Sequence, residues 1–153
     1  MPFVVVLLCL GALMFAVAFR FQTIMACLEE VRSLWPNASQ ELRQRYEGIS
    51  ELLDTSQANA VVKQDWAERT RDFELASQFD RQSIASMAME FQIGRVIDQT
   101  HRRESDFKLP GISKLSEAEN RRKQLQSDMI GWLTVQGLRL KLPPIYEPLA
   151  NNK

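Results

Sequence analysis

The chain has one histidine, His101, and two cysteines, Cys9 and Cys27, so the usual materials of metal binding and nucleophilic catalysis are scarce. A helical zinc site needs a histidine pair or a CxxC, and a di-iron bundle needs Glu-x-x-His on two helices; neither can be assembled. His101 lies in QTHRRE among charged neighbours and reads as a solvated surface histidine. The two cysteines are separated by roughly 27 Å if they share one helix, whereas a disulfide needs Cα atoms within about 7 Å. Cys9 is expected to behave as a small apolar side chain, and Leu8 before it opposes a lipoprotein site.

The carboxylates offer no shared acid–base site. Asp72 with Glu74, and Glu117 with Glu119, are two residues apart and point in different directions on a helix. Asp80-Arg81 and the RRE at 102–104 read as solvated faces. No serine lies in a nucleophile elbow, and Gly94 in FQIGRV is too isolated for a phosphate loop. Trp35, Trp66 and Trp132 each fall on an apolar face and read as core anchors, and SMAMEF at 86–91 reads as core filler. The expectation is a protein that is not an enzyme, with no catalytic, cofactor-binding or metal residue, no cofactor and no small-molecule substrate.

Those residues must be positioned by helices. The chain of 153 residues carries 19 basic and 19 acidic side chains, so no long-range field would gather nucleic acid. Six glycines, six prolines and 25% charged residues make a helix-rich composition. Residues 2–19, PFVVVLLCLGALMFAVAF, hold no charge and would span about 27 Å as a helix, close to a hydrocarbon core of about 30 Å. A cleaved signal peptide is the competing reading, with Ala16-Val17-Ala18 as its small-x-small site. Against cleavage, no basic residue precedes the run, and an amphipathic stripe begins directly after it. Residues 1–20 are therefore expected to be a retained transmembrane anchor. Arg20 and Arg32 place the following domain on the cytoplasmic side by the positive-inside rule.

The stripe runs Phe21, Ile24, Leu28, Val31, Trp35, Ala38, Leu42, Ile49, Leu52, as one amphipathic helix or a coiled-coil-like seam. Position 45 alone breaks it, with Arg45. Pro36 interrupts the helix or starts a new one; the unbroken phase favours a kinked continuation. Asn37-Ala38-Ser39 is a formal glycosylation sequon of a kind that chance often produces. DTSQAN at 54–59 predicts a turn. Residues 60–106 predict helix, one or two, with Val62, Trp66, Phe73, Ala76, Ile84, Met87 and Phe91 on the inner face, widened by Phe79, Ile93, Val96 and Ile97. Pro110-Gly111 breaks it. Ser113 or Ser116 (the latter with Glu119 as a capping box) starts a last helix placing Leu125, Met129 and Trp132 or Leu133 on one face. Pro143-Pro144 ends that helix, and the tail from Tyr146 is expected to fray. The architecture is all-α: an N-terminal transmembrane helix fused to an antiparallel bundle over 21–146, with 147–153 as tail. In that bundle the last helix is expected against the first, position 49 near 125 and 28 near 140.

The segment from Trp35 to Leu53, with positions upstream of it, resembles the LemA family of bacterial membrane proteins. The residues that carry it are Phe21 (with Gln22 in place of the family's asparagine), Val31 with Trp35, and Leu42, Arg43, Arg45, Tyr46, Ile49, Leu52 and Leu53. EAENRR at 117–122 resembles the segment opening that family's last helix, and Pro144 falls at its Phe-Pro. Ser50 stands where the family usually has proline, and the Tyr-Asn pairs of its last helix are missing. The resemblance implies a single-pass membrane protein with a helical bundle. The functional expectation is an envelope scaffold or interaction module in the cell membrane, with protein partners, a second copy of the chain among them. The alternative is a secreted or periplasmic binding protein released after Ala18.

Overall fold

The computed structural model describes residues 2–100 and 112–147, and they form five α-helices with no strand among the described residues. These are α1 (Pro2–Thr55), α2 (Ala60–Leu75), α3 (Phe79–Thr100), α4 (Ile112–Ser127) and α5 (Met129–Gly137). The all-α fold follows the 3.6-residue periodicity. His101, the RRE at 102–104 and Pro110-Gly111 lie outside the described residues.

α1 changes character along its length. Its N-terminal part is long and apolar enough to cross a membrane, and none of that stretch is buried. Past Arg20, Ile24, Leu28, Val31, Trp35, Ala38, Leu42 and Ile49 are all buried. Leu53 rather than Leu52 is the buried residue of the last turn. The helix continues through Pro36, which is exposed. A proline removes one hydrogen bond, while the buried stripe on both sides of it holds the helical phase. Its end is local chemistry: Thr55 donates back to the Glu51 and Leu52 carbonyls, and Asn59 caps α2 by accepting from the Val61 N–H at 3.0 Å.

The chain divides into two compact units, Met1–Val31 with Glu117–Ile145, and Arg32–Ser116 with Tyr146–Lys153. In the second unit, residues 60–100 are two helices. Ala76 adopts an extended conformation and no glycine or proline marks the break. The Gln82 side chain donates to the Phe73 carbonyl at 3.3 Å, and Gln92 donates to Asp65, so α2 and α3 form an antiparallel hairpin. α2 is also antiparallel to α1: Trp66 donates to Ser50 at 3.0 Å, the Tyr46 ring meets Trp66 and Phe73 edge-on, and Arg43 pairs with Glu74. Trp66 and Phe73, 2% and 0% exposed, anchor this core. Burying side chains of that size contributes about 1.5–3 kcal/mol each before conformational entropy is counted.

The buried face of α3 differs from the expected one. Ile93 and Val96 are buried as expected, but Ile84 and Phe91 are 51% and 66% exposed, while Gln82, Ser83, Ser86, Met89 and Glu90 are buried. The polar side chains can turn inward because α1 presents Trp35, Arg45 and Tyr46 as partners to them.

In the first unit α4 runs antiparallel to α1. Arg20 meets Asp128, the Cys27 thiol donates to the Ala118 carbonyl, and Glu30 meets Arg121. The orientation is the expected one but the register is not, since the level of Leu28 faces residues 118–121 rather than 140. Ser116 lies inside α4, not at its cap, and the predicted last helix is two helices. Asp128 breaks it by capping α5, its Oδ1 accepting from the Gly131 N–H at 2.7 Å. Gly131 packs so closely on α4 that a Cβ there would sit 1.8 Å from the Leu125 carbonyl oxygen. α5 ends well before Pro143, at Leu138 and at Arg139, whose φ is +49°. Met129 and Trp132 are 75% and 58% exposed, so Trp132 is no core anchor. Tyr146, expected in the frayed tail, is buried in the second unit with its ring edge-on to Trp35 at 5.5 Å.

Candidate functional site

The second unit is built around charge and hydroxyls. Arg45 fills a buried position of the α1 stripe, where its Nη1 donates to both Glu90 oxygens at 2.9 and 3.1 Å. Tyr46 is one residue on and reaches the same helix, donating to Glu90 at 3.2 Å and sharing a 2.7 Å bond with the Ser86 hydroxyl. Ser86 in turn bonds the Tyr146 hydroxyl at 3.1 Å. Trp35 donates to Gln82 at 2.7 Å. Burial raises the Glu90 pKa, and the nearby Arg45 guanidinium and Tyr46 hydroxyl only partly offset it. Burial, and then the Glu90 charge, push both tyrosines well above the ordinary phenol range. Such tyrosines stay protonated, and each hydroxyl is engaged within the network. The arrangement fixes the helices in register.

The first unit holds a second buried pair, Glu119 with Arg122, three residues apart on α4. Arg122 donates to both Glu119 oxygens at 2.6 and 3.0 Å, and also to the carbonyls of Pro143 and Pro144 at 3.1 and 2.8 Å. It ties the extended segment after α5 back onto α4. The predicted divergence of Glu117 and Glu119 is seen in their burial, the first exposed and the second 1% exposed.

Beside that clamp lies an open groove of ≈ 570 Å³ lined by Arg20, Thr23, Cys27 and Glu30 of α1 and by Arg121 and Asp128. Its charges are joined across it, Arg20 with Asp128 at 2.5 Å and Arg121 with Glu30 at 2.6 Å. Cys27, 6% exposed, donates to a carbonyl at 3.3 Å. Burial raises its thiol pKa, with Arg121 the chief opposing influence, so little thiolate forms at neutral pH. The groove can receive polar groups but has no activated nucleophile. Among the described residues no three His, Cys, Asp or Glu side chains converge as metal ligands.

Of the sequence-singled residues, the structure brings Trp35 and Trp66 into the core and leaves Trp132, Asp72 and Glu74 outside. Arg45, Glu90, Glu119 and Arg122 were missed as a site. In the sequence Arg45 is the gap in an apolar stripe and one of the LemA-like positions, and its buried ion partner explains the gap. Compared with known proteins, the chain matches no family model, no curated protein and no solved structure.

Proposed function

We propose that this protein is a single-pass, membrane-anchored helical bundle of the LemA-like type, acting as an envelope scaffold or protein-interaction module rather than a catalyst. The observation that carries this reading is the continuity of α1. An unburied stretch long enough to cross a membrane passes without a linker into a buried amphipathic stripe. Water would penalise so long an exposed apolar surface, and a bilayer would not. Arg20 then ends the run where a guanidinium can reach the headgroups. The positive-inside rule favours a cytoplasmic bundle. Exposed Leu75 and Ile84, beside a groove of ≈ 410 Å³ on the α2–α3 hairpin, support docking of protein partners, a second copy of the chain included.

Carbonate washing of membranes from expressing cells tests the anchor, and the protein is expected to stay in the pellet. Release into the wash with a mature N-terminus at Phe19 would establish the secreted alternative instead. Crosslinking in native membranes, followed by identification of the partners, tests the interaction role.

A further inference from the structure

We propose that α5 is a second lipid-contacting element, lying at the membrane surface with Met129 and Trp132 in the boundary between headgroups and acyl chains. The proposal rests on the anchor reading above. α5 reads MIGWLTVQG. Its inner side is fixed against the protein by buried Gly131 and Thr134. The first turns of its outer side are apolar where water would select polar residues: Met129 and Trp132 are 75% and 58% exposed, their spacing of three puts them on one face, and only at Gln136 does that face turn polar.

The cap sets the height of this face. Asp128, which caps α5, is ion-paired at 2.5 Å with Arg20, the first charge after the apolar run. Trp132 lies only about 6 Å further along the helix, at 1.5 Å per residue. A headgroup layer is itself about 6 Å deep, from the difference between the whole bilayer and its hydrocarbon core. Trp132 therefore lies no more than about one headgroup depth from the Arg20 level, whichever way α5 runs. An indole has an apolar body and one N–H donor, the combination that concentrates tryptophan at this depth. Arg139 and Lys141, both exposed, follow α5 and supply cations for lipid phosphates. Because α1 already tethers the chain, so short a helix can hold its contact without a separate association step.

The test uses the full chain in phosphatidylcholine vesicles, with and without lipid brominated near the carboxyl end of its acyl chains, a contact quencher of indole. Trp35 and Trp66 are 4% and 2% exposed, so Trp132 is the exposed indole. Brominated lipid is expected to lower the wild-type emission, and Trp132→Phe is expected to lose that quenched component. Both chains are expected to float with the vesicles and to melt alike. Emission insensitive to brominated lipid in a chain that floats overturns the placement of α5 and leaves the anchor standing. Quenching unchanged in Trp132→Phe does the same. A chain that fails to float overturns the anchor reading and this one with it.

Discussion

The two units each bury an arginine–glutamate pair, and the pairs are built differently. Glu119 and Arg122 share one helix, and Arg122 spends its remaining donors on two proline carbonyls. Arg45 and Glu90 join two helices; Arg45 Nη1 donates to both carboxylate oxygens, and its Nε has no hydrogen-bond partner among the described residues. Desolvating two ions costs several kcal/mol, which good geometry and full hydrogen bonding must offset. The clamp of the first unit meets that condition more completely. The pair of the second unit instead sets which face of α3 meets α1.

The largest expected effect comes from breaking the clamp. Arg122→Met removes the guanidinium that donates to both Glu119 oxygens and takes the same donor from both proline carbonyls, a loss of about 3–5 kcal/mol. Denaturant unfolding of the full chain in detergent micelles would measure it, and faster proteolysis near Tyr146 would locate it. Adding Glu119→Leu should not restore stability, since the carbonyls stay unmet. If the double variant recovers, Arg122 is only an ion partner.

Arg45→Met should cost less, about 1–3 kcal/mol, because Glu90 can take up a proton and keep its bond with Tyr46. Here the double variant, Arg45→Met with Glu90→Leu, should return to within about 1 kcal/mol of wild type. A double variant as unstable as the single one would erase the contrast between the units.

The pH response sharpens the same point. Burial holds the folded Glu90 pKa above its ordinary value, so the folded state binds this proton more tightly than the unfolded chain. The Glu90 contribution is then fully present below the ordinary glutamate pKa of about 4.3 and is lost as pH rises through the raised one. The stability of wild type relative to Glu90→Gln should therefore shrink as pH rises across that window. A difference that does not change with pH would contradict the raised pKa.

Glycine substitutions give the smaller effects. Gly131→Ala drives a Cβ into the Leu125 carbonyl and should cost about 1–3 kcal/mol through displacement of α5. Gly48→Ala, with nothing within 4 Å, should stabilise α1 by about 0.5–1 kcal/mol. Melting of the two variants side by side checks both signs.

The sequence by itself determined the elements whose cause is local. An uncharged run of 18 residues, an apolar stripe at helical spacing and the DTSQAN punctuation act within a few turns of chain, and α1 and its end follow from them. Trp35, Leu42, Ile49, Trp66 and Phe73 were legible as core for the same reason. Only the tertiary structure decided that Ile84 and Phe91 face outward, that Trp132 is exposed, and that Tyr146 is buried. Arg45 finds Glu90 across 45 residues of chain, and Ser86 finds Tyr146 across 60. A polar side chain is buried only where a partner satisfies it, and an apolar one only where a neighbour covers it. Both conditions are set by chain segments too distant for any local pattern to report.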